Sequence, residues 1–349
     1  MQLRSRLGTL FVLLAWLMPA LAIGQSAGKN DDVLLYQGAD RQLRLVEKAR
    51  KEGGLTVYTS LAPTEAEPMA QAFEKKYGIK VELWRALSER VLQRTLSEAK
   101  ADRNAADVIA TNSPELESLV REKVLAPYYT PYAADLPRDS IPKHRLWMPD
   151  RLTIFVVGYN TRLVRREELP KSYLGFADPK WKGRIGIEAS DSEWMATLVK
   201  KWGQEPGMAF FRKLAELKPE VRKGHVLLAQ LISAGEIPVG LTVYSSNAET
   251  LKRKGAPIDW VAVDPAVARP QGLAIPRNAP HPAAAVLYAD FVLSPEGQKM
   301  YEDMGRPPVS TRIKSSLSNF NYTMLDPVTV LDEADKWSKL WDELFLKKQ

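Results

Sequence analysis

Between residues 40 and 125, apolar residues alternate between two kinds of spacing. Short apolar runs typical of buried strands occupy residues 55–60, 79–84 and 107–111. Apolar side chains recur every three or four positions, as in amphipathic helices, over residues 40–52, 64–77 and 88–99. We expect the second helix to begin with a capping box formed by Thr64 and Glu67. Strands that alternate with helices predict an α/β fold with a mainly parallel sheet.

A second alternating set follows a proline-rich stretch at residues 126–150. The apolar run Leu152–Tyr159 is expected to link two lobes, and Gly272–Ile275 to carry the chain back to the first lobe. Further strands are predicted at residues 183–188, 237–244 and 260–263, and further helices at 192–202, 207–217, 225–234 and before Gly255. The last apolar residues with helical spacing are Trp337, Leu340, Trp341 and Leu344. Residues 326–349 are therefore expected to form an amphipathic tail helix that packs across the second lobe.

The N-terminus has the pattern of a secretory signal peptide. Arg4 and Arg6 precede an apolar run from Leu10 to Leu21, and Ala20-Leu21-Ala22 is a small-x-small cleavage site. The run is too short to span a bilayer stably, although an uncleaved anchor is the alternative. We therefore expect residues 1–22 to be removed and the protein to be periplasmic.

Composition excludes several classes of function. The chain contains no cysteine, so it has no disulfide, thiolate metal site or lipid attachment point. The net charge is +7, but basic residues are dispersed among acidic ones, which argues against a nucleic-acid-binding surface. We find no G-x-S-x-G, H-E-x-x-H or P-loop motif, and we predict no enzyme activity and no cofactor.

Polar residues that follow the predicted strands are the candidate ligand-binding groups. In open α/β sheets, ligands bind beyond the carboxyl ends of strands, where helix N-termini offer unpaired N–H groups. The candidates in the first lobe are Thr59, Ser60, Arg85 and Asn112, with Leu61, Thr111 and Ser113 beside them. Those in the second lobe are Ser190, Asp191, Tyr244 and Ser245, with Ser192, Glu193, Ser246 and Asn247 beside them.

Several candidates also fit structural roles. Ser113, Asp191 and Ser192 are good helix N-caps, and Arg85 fits a solvated strand end. Trp194 has the spacing of a core residue as well as that of a stacking platform. The three histidines are scattered without metal-ligand spacing, and His281 between two prolines is expected to be structural.

Residues 278–298, NAPHPAAAVLYADFVLSPEGQ, resemble a segment of bacterial extracytoplasmic solute-binding proteins, the capture subunits of ABC importers. ARKEGGLTVYTS, PKWKGRIGIE, ISAGEIPVGLTVY and KGAPIDWVAV occur in the order that this family uses, and the ferric-iron-binding type is most similar. The resemblance implies the two-lobed type 2 periplasmic binding protein fold with a ligand cleft between the lobes. It places residues 32–150 and 272–315 in the first lobe, and 151–271 and 316–349 in the second.

The resemblance also implies a function. The protein would be a monomer that closes on one small solute by a hinge and delivers it to an inner-membrane permease with its ATPase. A periplasmic sensor that presents its solute to a receptor kinase is an alternative, and a periplasmic enzyme on the same fold is a weaker one.

The sequence does not decide whether the solute is a metal ion or a small polar anion. Ferric-binding relatives carry two adjacent tyrosines after the strand that resembles ISAGEIPVGLTVY, where this chain reads Tyr244-Ser245-Ser246. Asp191, Glu193 and Tyr244 remain candidate hard ligands for a metal. Equally, Arg85 and Asn112 with serine hydroxyls could hold a carboxylate or a phosphonate.

We predict cleavage after Ala22, because a short apolar run precedes the small-x-small site. Mass spectrometry of the protein from a periplasmic extract should give the mass of a chain that begins at Ile23. An intact N-terminus on membrane-retained protein would contradict this.

Overall fold

The computed structural model describes residues 29–347. The predicted signal peptide and its cleavage site lie outside these residues. Within the described range, no helix has the length and apolar character needed to cross a membrane.

The first lobe is built on three parallel strands with helices packed against them. The strands are β1 (Gly54–Thr59), β2 (Lys80–Arg85) and β3 (Val108–Asn112). The helices that precede, join and follow them are α1 (Asp31–Leu34), α2 (Arg41–Glu52), α3 (Pro63–Tyr77), α4 (Ser88–Lys100) and α5 (Ser113–Arg121), before the short strand β4 (Leu125–Ala126). In β1, Thr59 lies opposite Arg85 on one side and Ala110 on the other. The carboxyl ends of the three strands therefore meet at one edge of the sheet.

One long strand, β5 (Trp147–Asn160), leads from the first lobe into the second. The strands of the second lobe are β6 (Ile185–Glu188), β7 (Glu220–Arg222), β8 (Val239–Tyr244) and β9 (Ile258–Val261). Its helices are α6 (Ser192–Trp202), α7 (Gln204–Glu216), α8 (His225–Ala234) and α9 (Ser245–Arg253). β6 pairs with β7 and β8 in parallel, so candidate groups again gather at the carboxyl ends of strands.

A second long strand, β10 (Ala266–Pro276), returns the chain to the first lobe. The elements after it are α10 (Pro282–Leu293), α11 (Pro295–Asp303), β11 (Tyr322–Met324), α12 (Pro327–Asp332), α13 (Ala334–Trp341) and a π-helical turn (Asp342–Leu346). The main strand order is β2-β1-β3-β10-β5-β8-β6-β7. Strands β5 and β10 therefore lie next to each other in the middle, as expected for the two strands that link the lobes.

Both linking strands contain a break in register. In β10 the shift lies between Gln271 and Gly272, and in β5 it lies between Val156 and Gly158. A Cβ atom on Gly272 would lie 2.7 Å from the backbone oxygen of Met148, so only glycine allows this close approach. Irregular pairing at these points lets the sheet bend between the lobes.

The strands and helices predicted from the sequence are confirmed with shifts of a few residues, but two local predictions are wrong. Helix α3 begins at Pro63 after Ala62, and no side chain caps it, so Thr64 lies inside the helix and forms no capping box. Proline at the first helical position sets this start. The tail is not one helix, since it breaks at Glu333 between α12 and α13.

Helix α13 of the tail packs on α6 of the second lobe, whereas α12 packs on α5 of the first lobe. Trp337 and Trp341 are buried, and the Trp341 ring lies 6.3 Å from that of Trp194, centroid to centroid. Trp341 Nε1 also donates a hydrogen bond to the backbone oxygen of Ala189 at 2.8 Å. The tail thus supports the segment that carries Ser190 and Asp191.

Replacing Trp341 with alanine should lower the free energy of unfolding by about 3–5 kcal/mol, because it leaves a cavity under the tail and an unpaired carbonyl at Ala189. Urea denaturation measures this value. Leu346→Ala is the matched control, since Leu346 in the same tail is 42% exposed and should change stability little. Equal effects of the two substitutions would mean that the tail does not anchor the second lobe.

Candidate functional site

The four candidates of the first lobe lie together at the carboxyl edge of its parallel strands. Thr59 Oγ1 accepts a hydrogen bond from the Leu61 N–H at 3.0 Å, and the Thr111 hydroxyl donates to Ser60 Oγ at 3.1 Å. Arg85 is exposed and donates through Nε to the backbone oxygen of Leu61 at 3.2 Å. All of these residues follow or end β1, β2 or β3, as the strand-end rule predicts.

Asn112 connects this edge to the linking strand β10. Its Oδ1 accepts a hydrogen bond from Gln271 Nε2 at 2.7 Å, and the two residues lie opposite each other in the sheet. Asn112 is also the residue that precedes α5, so Ser113 is the first residue of the helix and not its N-cap.

Two buried serines begin helices on opposite lobes. Ser113 starts α5 in the first lobe, and Ser245 starts α9 in the second. Both residues have zero exposure, and neither hydroxyl has a hydrogen-bond partner among the described residues. Buried hydroxyls in native proteins are almost always paired, so a partner from outside the chain, water or ligand, is expected at each of them.

A cavity of about 190 Å³ lies at the carboxyl ends of β6 and β8 and is partly covered by the tail. Its polar lining comes from Ser190, Asp191, Ser192, Glu193, His225, Tyr244 and Arg269. The structure therefore brings together three of the four second-lobe candidates, and Ser245 follows Tyr244 directly. Thr59, Ser60, Arg85 and Asn112 do not line this cavity, although the structure describes all four.

Arg269 of β10 is the main cation of the cavity. It forms an ion pair with Glu193, and its Nη2 donates to the Tyr244 hydroxyl at 3.2 Å. Burial lowers the pKa of Arg269, but Glu193 and Tyr244 raise it by more, so the guanidinium stays charged. Burial also raises the pKa of Glu115 at the start of α5, an effect that Arg269 opposes.

His225 and Asp191 form a second polar pair beside Tyr244. His225 Nε2 lies 2.9 Å from Asp191 Oδ1, and the imidazole stacks on the Tyr244 ring with centroids 3.5 Å apart. Asp191 precedes α6, but its side chain makes no capping bond. The N-cap role considered for Asp191 is therefore wrong, and Ser192 is the first helical residue.

Glu188 ends β6 directly behind this pair. Its carboxylate accepts hydrogen bonds from the Ser190 N–H at 2.5 Å, the Ser190 hydroxyl at 2.7 Å and the Gly224 N–H at 2.8 Å. Although burial raises the pKa of Glu188, the bonds from Ser190 and Gly224 together with His225 lower it below its usual value. Glu188 is therefore ionised at neutral pH.

Sequence reasoning missed Glu188, His225 and Arg269, each for an identifiable reason. His225 follows β7, a strand of three residues that was not predicted. Arg269 lies in β10, which was expected to begin only at Gly272. Glu188 is the last residue of β6, whereas the strand-end rule selects the residues that follow a strand. Trp194 has zero exposure, which confirms its core role.

A family model described as bacterial extracellular solute-binding protein matches residues 68–319. The chain belongs to this family. The members of the family are solute-binding proteins, and this membership confirms the class that the sequence resemblance indicated.

Curated relatives cover most of the chain. The major ferric iron-binding protein of Neisseria meningitidis serogroup B is 26% identical over 292 residues, which are 80% of this chain and 86% of that protein. A Salmonella typhimurium periplasmic protein assigned to 2-aminoethylphosphonate binding is 24% identical over 287 residues, 78% of this chain and 81% of that protein. The two relatives are named for chemically different solutes, ferric iron and 2-aminoethylphosphonate.

Solved structures confirm the two-lobed type 2 periplasmic binding protein fold. Iron-bound HitA from Pseudomonas aeruginosa has a TM-score of 0.71 and 22% identity, with 82% of this chain and 99% of that chain covered. The periplasmic binding protein AfuA from Actinobacillus pleuropneumoniae, with fructose-6-phosphate bound, has a TM-score of 0.69 and 22% identity, with 84% and 98% covered.

Neither serine that stands where ferric relatives have tyrosines offers a phenolate oxygen, and Ser246 is already bonded to another side chain. Ser246 Oγ accepts a hydrogen bond from Arg306 Nη1 at 2.6 Å, and Arg306 Nε donates to Glu65 of α3 at 2.7 Å. Ser245 is fully buried. Burial raises the pKa of Tyr244 above its ordinary value, so its phenol stays protonated.

Ferric ion should therefore not produce the visible phenolate-to-iron charge-transfer band expected of a two-tyrosine site. Titration of the purified protein with ferric citrate, followed by absorption spectroscopy, checks this. A strong stoichiometric band that is lost in Tyr244→Phe would restore Tyr244 as an iron ligand.

Proposed function

We propose that this chain is the solute-capturing subunit of an ABC importer and binds one small anionic solute between its lobes. Membership of the solute-binding family supports the capture role. The main support for an anionic solute is the pair of buried, unpaired hydroxyls of Ser113 and Ser245, one on each lobe.

The chemistry of these two positions favours an oxygen-rich anion. Each serine is the first residue of a helix, where unpaired backbone N–H groups and the positive end of the helix dipole favour negative charge. Serine hydroxyls and N–H groups together form the donor set that phosphate, phosphonate and carboxylate groups require. The relative assigned to 2-aminoethylphosphonate supports the same class of solute.

The site residues proposed from the sequence fit this role in two sets. Thr59, Ser60, Arg85 and Asn112 would approach the solute from the first lobe, and Ser190, Asp191, Tyr244 and Ser245 from the second. Arg85 is exposed and retains donors for an anion, whereas Asp191 and Glu193 are already paired with His225 and Arg269.

Closure about the linking strands would bring the two sets onto one solute. The register breaks in β5 and β10 support a hinge near the predicted lobe limits, residues 150 and 271. Hinge closure around a ligand is the known behaviour of periplasmic binding proteins. The closed protein would then deliver its solute to the inner-membrane permease.

The test replaces each unpaired hydroxyl. Ser113→Ala and Ser245→Ala should each weaken solute binding by about 1–3 kcal/mol, because a desolvated solute oxygen loses its donor. Neither change should lower the stability of the solute-free protein, since neither hydroxyl has a partner to lose. The solute comes from a thermal-shift screen of phosphonates, sugar phosphates and carboxylates, and calorimetry then gives the affinities.

Ser118→Ala is the matched control, because Ser118 lies in α5 and its hydroxyl bonds to the Pro114 carbonyl at 3.1 Å. It should leave solute affinity unchanged. If no anion in the screen raises the thermal midpoint, or if both serine variants bind as the original chain does, the proposed solute class is wrong.

A further inference from the structure

All three histidines of the chain pair with a buried carboxylate at the same distance. His144 lies 2.9 Å from Glu117, His281 lies 2.9 Å from Asp107, and His225 lies 2.9 Å from Asp191. Only the His225 pair lines the cavity at the ends of β6 and β8. Only this pair has a second buried carboxylate, that of Glu188, close enough to share an ion in the described part of the chain.

We infer that Glu188, Asp191 and His225 form a binding site for a divalent transition-metal ion. Each residue offers one ligand atom, and the three atoms lie within 4.8 Å of one another. Two ligand atoms that each lie about 2.0–2.2 Å from a shared ion are about 3.0–3.5 Å apart, so the 2.9 Å between His225 Nε2 and Asp191 Oδ1 needs only a small adjustment to admit an ion. The ion would therefore replace the proton that these two atoms share.

The surroundings hold the three side chains in place. The Glu188 carboxylate accepts three hydrogen bonds, from Ser190 and Gly224, which leaves about one of its four lone-pair positions free. Stacking on Tyr244, with 15° between the ring planes, fixes the His225 imidazole. Such outer contacts are what orient the ligands of a metal site.

A separate observation indicates that the Asp191 carboxylate lacks a partner that a cation would supply. Asp191 is 2% exposed, and its Oδ2 has no hydrogen-bond donor within 3.5 Å among the described residues. A buried carboxylate oxygen without a donor is costly, and a cation would remove that cost. Asp191 itself lines the cavity, so an ion held here would keep open positions for water or for a solute oxygen.

The donor set indicates the class of ion. Two carboxylates and one imidazole suit borderline ions such as Zn²⁺ and Mn²⁺, and no thiolate is available because the chain has no cysteine. This site uses neither of the serines that replace the tyrosine pair. Of the three metal candidates from the sequence, only Asp191 belongs to this site. Glu193 and Tyr244 are excluded as ligands because both are paired with Arg269.

The inference rests on the proposed function only in that both use the second-lobe cavity. A divalent ion beside Asp191 and Glu188 would offset their negative charge, which otherwise opposes an anion in the same cavity. The ion would thus strengthen anion binding without being required for the lobes to form.

The test is calorimetric titration of EDTA-stripped protein with ZnCl₂ and, separately, MnCl₂. The original chain should bind one Zn²⁺, with Mn²⁺ weaker. His225→Gln and Asp191→Asn should each weaken Zn²⁺ binding by at least about 100-fold, because loss of groups that only orient a ligand already costs 10–100-fold. His144→Gln is the matched control and should bind Zn²⁺ as the original chain does.

Circular dichroism of the metal-free variants checks their folding. Should Asp191→Asn fail to fold, His225→Gln remains decisive, since His225 is partly exposed at the cavity. Visible absorption of Co²⁺ bound to the original chain gives an independent readout that His225→Gln should abolish. No stoichiometric Zn²⁺ uptake, or uptake unchanged in both variants, would overturn the site.

Titrating 2-aminoethylphosphonate and ethylphosphonate into EDTA-stripped and Zn²⁺-loaded protein separates this inference from the proposed function. Tighter phosphonate binding in the Zn²⁺-loaded protein supports both. Equal phosphonate binding without any Zn²⁺ uptake overturns the metal site alone. Zn²⁺ uptake with no binding by any anion of the screen overturns the anionic solute alone.

Discussion

The pairing of β5 with β10 is the constraint on which the position of every candidate group depends. Every residue of β5 is buried, and β10 pairs with β3 of the first lobe as well as with β5. Tyr244 lies opposite Phe155 of β5, and Asn112 lies opposite Gln271 of β10. A change in the register of these two strands would therefore move both halves of the candidate site relative to each other.

The charges near the cleft are organised as local pairs. Arg269 pairs with Glu193, His225 with Asp191, and Arg306 with Glu65. A buried charge without a partner is strongly destabilising, so these pairs favour the observed positions of their side chains. The unpaired hydroxyls of Ser113 and Ser245 are exceptions to this local pairing.

Much of the fold could be predicted from the sequence, because periodicity and strand ends report on burial directly. The same rule predicted Asp191 and Tyr244, which line one cavity, and Ser245, which follows Tyr244, because β6 and β8 are long enough to be recognised. It missed His225 because β7 has only three residues, and no apolar period is readable over so short a stretch. It could not find the grouping of Glu188, Asp191 and His225, since only the pairing of β6 with β7 brings these segments together.

If the lobes close on a solute as proposed, the Arg306 bridge bears on the energetics of that closure. Arg306 follows α11 of the first lobe and holds both Glu65 of that lobe and Ser246 of the second lobe. A contact made only when the lobes are together raises the population of the closed form before any solute arrives. Each 1.4 kcal/mol of such bias makes the apparent affinity up to tenfold tighter, as long as the open form still predominates. The same bias opposes release by the same amount, so the bridge would set a minimum on the work that a receiving membrane protein must do.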